Sequence, residues 1–342
     1  MKKFILGIAL LVVSFTNAQN ILIVDNNTNV DTTPSHMYNS FTSAIAAAAN
    51  GDIIYVQPSI TSYGNVTINK EVTIYGLGHT PELNAGRSAT FNIVTIAANN
   101  VKISGVASTN SISTNATRSN ITVEKSLIAN TIGMSGVTNG VIQGNVIKGG
   151  ITLNATTSTN ITVTHNFLDG IGIYSLNGFN SSTIFNNNIV TSAITANSSF
   201  LSTPIDLVAQ NNIFIFTSTF NGTNWQYNGT PTTYNNCISY SYNGTTLAPL
   251  TGTGNFDNTN PQFVSIPGTN PAFLVNNNYN IGSGSLGTDG NDVGLFNGGY
   301  DFDMRGYPTP LPYLEEMTII NNVVQAGENL NINLKANANK TN

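Results

Sequence analysis

Between Asn120 and Ser239 the apolar and polar positions fall into one repeated phrase: a small polar residue, usually Asn, followed by two apolar ones. The copies are Ser126-Leu127-Ile128, Asn145-Val146-Ile147, Asn166-Phe167-Leu168, Asn188-Ile189-Val190, Asn212-Ile213-Phe214 and Asn236-Cys237-Ile238. Their first residues lie 19, 21, 22, 24 and 24 positions apart. A self-similar period of about twenty residues, built from short apolar runs, predicts the stacked coils of a β-solenoid.

Three residues before each phrase stands another apolar position: Val123, Ile142, Val163 and Phe185, becoming Ala209 and Thr233. Ile103 and Ile74 extend this column upstream, and a second column runs through Ile132, Ile151, Ile173 and Ile194. Two columns in phase predict two strands per coil, stacked into two parallel sheets with a spacing of about 4.8 Å. Each inward Ile, Val, Leu or Phe contributes roughly 1.5–3 kcal/mol when fully buried. Asn suits the corners, because it tolerates the left-handed backbone and its amide can bond to the Asn of the next coil. A structural ladder of Asn145, Asn166, Asn188, Asn212 and Asn236 is therefore expected. The competing β-sandwich needs hairpins, yet Asn-Gly turns do not recur at a fixed interval.

Ahead of the repeats, residues 1–18 read as a secretory signal: Lys2 and Lys3, an apolar core from Phe4 to Phe15, then Thr16-Asn17-Ala18 before Gln19. The run is too short for a comfortable membrane span, and no later segment qualifies. A strand at Ile21–Val24 follows, then a helix from about Phe41 to Ala49, capped by Ser40 and ended by Asn50-Gly51. Such a helix closes the open apolar end of a stack, which a solenoid needs for solubility.

The run "FTSAIAAAANGDIIYVQP…VTINKEVTIYGLG" resembles the opening segment of right-handed parallel β-helix proteins of the pectate-lyase-like superfamily. Residues Asn260 to Gly299, with "NPQFV" and "YNIGSGSLGTDGNDVGLFNGG", resemble the terminal coil of its secreted bacterial members, and the "NAQ" ending of the signal resembles Bacteroidetes-type secreted proteins. The resemblance spans roughly residues 20–300. It implies an all-β chain with residues 19–307 as a right-handed parallel β-helix, 20–51 being its capping segment. Pro308, Pro310 and Pro312 break that pattern, so residues 308–342 read as a small β appendage or linker.

Composition narrows the function. Only 8% of residues are charged and the net charge is −5, so no basic stripe exists to bind nucleic acid. The lone cysteine, Cys237, has no intrachain disulfide partner and falls on an inward column, where it reads as a small buried hydrophobe. Enzymes of the resembled superfamily cluster Asp on one outer face as calcium ligands or acid/base pairs, with Arg or Lys as base. This chain departs from that pattern: between Glu82 and Asp257 it has only Glu124, Asp169 and Asp206. Three scattered acids supply neither the six to eight oxygens of a calcium site nor a facing carboxyl pair. No cofactor is expected; the acid-rich end (Asp289, Asp292, Asp301, Asp303) leaves a structural calcium as the open alternative to a solvated loop.

Coil alignment places Lys125, Gly144 and His165 in one column and Lys148 and Asp169 in another. If the chain is an enzyme, a polysaccharide lyase with Lys125, His165 and Arg118 is the set available; the bland alternative is a solvated wall with one cross-coil ion pair. His36 and His79 read as surface residues of the early loops. Trp225 and Tyr227, in a Gly/Asn-rich insertion, are the candidate ligand-binding aromatics, with loop packing as the alternative. The resulting expectation is a secreted, monomeric, non-catalytic solenoid contacting polysaccharide or cell-surface glycan, with an atypical lyase or hydrolase as the second reading. A weaker third, ice binding, suffers from the uneven coil lengths.

Overall fold

A computed structural model describes residues 19–81, 86–194, 199–202, 204–218, 225–226, 232–282, 293–296, 298, 300–320 and 323–338. It is a parallel β-solenoid with one short helix among the described residues. Each coil carries three strands rather than the expected two, so three parallel sheets form, of 12, 8 and 7 strands in the order the chain meets them within a coil. These are called here the first, second and third walls.

The inward column of the first wall runs through Ile74, Ile103, Val123, Ile142, Val163, Phe185 and Ala209, as the pattern predicts. It then continues to Tyr234, not Thr233. The second column, at Ile132 and Ile151, is the third wall, and the apolar pair of each repeated phrase forms an additional wall between it and the first. Ile128, Ile147, Leu168, Val190 and Phe214 face inward from the second, while Ile112, Ile132, Ile151, Leu176 and Leu201 line the third. Ile173 does not belong to this column. It is 41% exposed, because the coil lengthens there and Leu176 takes the inward place.

The sharp corner between the first and second walls has two positions. The first holds a left-handed backbone in seven successive coils: Gly105, Lys125, Gly144, His165, Asn187, Asn211 and Asn236, with φ between 49° and 72°. The second is the buried ladder. Ser126 N–H donates to Asn145 Oδ1 at 3.0 Å, Asn145 N–H to Asn166 Oδ1 at 3.0 Å, Asn166 N–H to Asn188 Oδ1 at 2.9 Å, and Asn188 N–H to Asn212 Oδ1 at 2.9 Å. Each Nδ2 donates in turn to the carbonyl of a residue one coil back: Val123, Ile142, Val163 and Phe185. Asn236 is therefore misplaced by one in the expected ladder. Cys237 holds the rung, its Sγ near Asn212 N and its own N–H donating to Asn255 Oδ1. Burial pushes the Cys237 thiol up to about 12, in keeping with the inert, inward reading.

A helix, α1 (Phe41–Ala47), closes the first coil, with Ser40 Oγ accepting from Ser43 N–H. It ends two residues before the expected Ala49, and buries Phe41, Ala44 and Ile45, with Phe41 edge-on to Phe91 at 5.2 Å.

Beyond the first-wall strand Gly252–Thr253 the chain leaves the coil path. Residues expected as a terminal coil instead fold back over the outer face of the second wall. There Val146, Phe167, Ile189, Ile213 and Ile238 form a second core with Phe263, Phe273, Tyr279, Val293, Leu295 and Phe302. The second wall is thus buried on both faces, which is what two consecutive apolar residues after each Asn encode. A final antiparallel hairpin joins Pro312–Ile319 to Ile332–Ala338. Met317, Leu334, Ile319 and Ile332 pair on one face, and Glu316, Lys335, Thr318 and Asn333 on the other.

Asn166→Ala should lower unfolding stability by roughly 3 kcal/mol in urea, since several buried groups lose partners at about 1–3 kcal/mol each. Asn139→Gly keeps the left-handed corner of the exposed ladder Asn120–Asn139–Asn160; it should cost only about 0.5 kcal/mol. Equal losses would remove burial from the explanation. Deleting residues 40–50 uncovers the first coil's interior, so the truncated chain should aggregate in size-exclusion chromatography, whereas a soluble monomer would show that α1 is not the cap.

Candidate functional site

Lys125 and His165 do share a corner column, one coil apart on either side of Gly144. Their left-handed backbone is costly for residues other than Gly or Asn. Both are covered. The described residues between 293 and 308 run back along this corner as a strap, from Gly294, whose N–H donates to Asn211 O at 2.9 Å, to Pro308 against Gly105. Tyr300 lies midway, its ring stacked on His165 at 4.4 Å, with Lys125 Nζ 5.9 Å from its centroid. A Cβ on Gly144 would collide with the Tyr300 hydroxyl, so glycine is required there. Lys125 and His165 are each 8% exposed, and His165 Nδ1 pairs with Thr164 Oγ1 at 2.8 Å. Burial, first, and the nearby acids Glu124, Asp301 and Asp303 push the Tyr300 phenol upward, so it stays neutral.

Arg118 is not part of this cluster. It begins the strand whose other end is Glu124 and lies beyond the left-handed corner at Asn120, up to about 23 Å from Lys125 at about 3.3 Å per residue. Its guanidinium donates to Asn115 Oδ1 and Thr117 O. Structure therefore joins two members of the candidate lyase set under a tyrosine and separates the third. The carboxylates are likewise apart: Glu124 pairs with Lys102 at 2.8 Å, and Asp169 accepts from Thr191 Oγ1. The cross-coil ion pair of the wall is Lys102–Glu124, not Lys148–Asp169. At that exposure it is worth about 0–1 kcal/mol.

The aromatic expectation is corrected for Trp225 and lies outside the described residues for Tyr227. Trp225 is fully buried among Phe200, Phe214, Phe216 and Tyr234, and its indole N–H donates to Ala248 O at 2.9 Å. Its faces are closed to a ligand. The aromatics that pattern reading passed over are Tyr55 and Tyr75. They stand at outward positions of Ile53–Val56 and Thr73–Tyr75, stacked at 5.9 Å. The alternation Ile54-Tyr55-Val56 carried that signal.

Tyr55 and Tyr75 begin an outward column of the first wall that continues through Ser104, Glu124, Gln143, Thr164, Asn186, Gln210 and Asn235. Next to it runs Thr122, Val141, Thr162, Ile184, Val208 and Thr233, almost all β-branched, and beyond that the exposed ladder Asn100–Asn120–Asn139–Asn160. The polar groups hold one another: Asn186 Oδ1 accepts from Gln210 N–H at 3.2 Å, and Asn235 Oδ1 from Thr253 N–H at 3.1 Å. The outcome is a face with one ion pair, Lys102–Glu124, on which the amides of Asn186, Asn235 and the Asn ladder are held before any ligand arrives.

His36 is exposed, as expected, but His79 is not a surface residue: it is 2% exposed beneath the strap, with its N–H donating to Arg305 O at 2.8 Å. Of the acid-rich end, Asp289 and Asp292 lie outside the described residues, and Asp303 is held by Arg305 at 3.2 Å. No three His, Cys, Asp or Glu side chains converge on a metal site among the described residues.

Burial, opposed by Asp303, lowers the His79 pKa from 6.5 to about 4. Between these values the unfolded chain binds a proton that the folded chain does not, so stability falls as pH drops from about 6.5 to 4. The loss should reach roughly 3 kcal/mol. Urea midpoints for wild type and His79→Leu should converge in slope above pH 6.5 and diverge below it; parallel profiles would exclude His79 as the acid-labile group.

Set against known proteins, the chain matches no family model, no curated protein and no solved structure, so the geometry above stands alone as the guide to function.

Proposed function

We propose that this chain is a secreted, non-catalytic solenoid that contacts glycans through the outer face of its first wall. The observation that carries this reading is the set of held amides on that face, the Asn100–Asn120–Asn139 ladder and the Asn186–Gln210 pair, with Tyr55 stacked on Tyr75 at its edge. Amides both donate and accept, which suits sugar hydroxyls, and groups already held in place lose little freedom on binding. Tyr55 offers an apolar ring at the edge of that face. Catalysis is disfavoured because the two candidate bases sit beneath Tyr300, and Glu124 and Asp169 face no common bond.

The test pairs binding with turnover. In affinity electrophoresis against neutral and acidic polysaccharides, the full chain should be retarded by at least one of them and release no reducing or unsaturated ends, with or without calcium. Tyr55→Ala should reduce the retardation several-fold, while Trp225→Phe should leave it unchanged. Turnover that disappears in His165→Ala would replace this reading with the lyase one, and place the site under the strap.

A further inference from the structure

A second site lies on a different wall. The folded-back layer covers the outer column of the second wall from Ile238 to Val146 and thins out at Leu127, which is only partly buried against it. Toward the helix-capped end the same column passes from Phe167 to the smaller Val146, Leu127, Ala107 and Thr90. The receding floor leaves an open groove of about 680 Å³. Phe273 and Leu274 form one side, and His79 and Thr80 close the inner end. Leu274 is 48% exposed above it. His79 Nε2, although buried, has no hydrogen-bond partner among the described residues.

One charged group reaches the groove. Lys148 stands in the neighbouring floor column beyond Ala129, exposed and in no ion pair among the described residues. Among the described residues no carboxylate lines the groove; Glu82, which follows the lining residue Pro81, lies outside them.

We propose that this groove takes an extended peptide segment of a partner protein, one large apolar side chain resting on Leu127 and Ala107 and one carboxylate meeting Lys148. The chain supplies the precedent for the occupant. Immediately alongside, the same outer column is covered by this protein's own folded-back layer, Phe273 ahead of a turn and Tyr279 on the strand Asn278–Ile281 both packing on Phe167, at 5.4 and 4.7 Å. The groove continues that interface to the coils the layer does not reach. Its floor spans about three coils, roughly 14 Å at 4.8 Å per coil, enough for four or five extended residues at about 3.3 Å each. Apolar burial then supplies affinity and Lys148 the direction of the segment.

The experiment uses the full chain and fluorescein-labelled hexapeptides alternating Ser with Leu or Phe, one series ending in Asp and its twin in Asn. Fluorescence anisotropy should give a sub-millimolar Kd for the Asp series. Lys148→Met should weaken it about three- to five-fold, to the level of the Asn twin. Ala129→Trp, at an exposed floor position, should weaken both at least ten-fold with an unchanged Tm; if it melts early, Thr109→Trp fills the same column. The proposal is overturned by no anisotropy change at millimolar peptide, by equal affinity in the filled variants, or by cellohexaose binding that the filled variants abolish while the peptides fail to bind.

Discussion

Everything in this molecule rests on how one buried corner satisfies its backbone. A solenoid turns its chain through a tight angle in every coil, and at each angle an N–H and a carbonyl point inward with no strand partner. The Asn ladder supplies both complements from one side chain, Oδ1 accepting from the coil before and Nδ2 donating to its carbonyl. A buried, unpaired polar group costs about 1–3 kcal/mol, so the corner is tolerable only when this exchange is complete. Cys237 makes the point by difference. It keeps a weak acceptor and a weak donor at the rung, and Asn255 restores the amide one step later.

From that corner the two outer surfaces diverge. Outward residues of the first wall remain small, β-branched or amide-bearing and stay open to solvent over much of its length, whereas those of the second wall are large and apolar and require a cover. The cover is local in space but distant in sequence, and its last stretch, the strap, threads over the left-handed corner where Gly105 and Gly144 leave room for Pro308 and Tyr300. Lys125 and His165 are consequently wall material under an aromatic ring, although their column and strained backbone invite a catalytic reading.

The coil period and the inward columns were legible because stacked side chains must match their neighbours at a fixed spacing. Asn236 was misread for Cys237 because both corner positions favour Asn for different reasons, one for its left-handed backbone and one for its amide. The second wall was merged with the first because its early strands, Leu127–Ile128 and Val146–Ile147, are only two residues long and stand just past the corner from Val123 and Ile142, and Ile173 was misplaced because the turn before Leu176 lengthens. The covering layer was hidden for want of a repeat within it. Its imprint was nevertheless present: Val146-Ile147 and Phe167-Leu168 are apolar on both faces, and a solvated sheet would alternate. Trp225 illustrates the limit of composition, since nothing in a Gly/Asn-rich neighbourhood reveals that an indole turns inward. The outer face of the first wall could be assembled only from register, which pairs residues some twenty positions apart.

The ladder also makes the coil an exchangeable unit. Because each Asn addresses only the coil before and the coil after, a duplicated coil between Asn166 and Asn188 would meet the same partners on both sides. The cover has no such modularity, for its reach is set by the number of residues between Phe256 and Phe302. A lineage that gained or lost a coil would therefore slide the edge of the cover along the second wall, changing how much of that wall lies bare. Growth of the scaffold and the size of its uncovered groove are, in this architecture, a single variable.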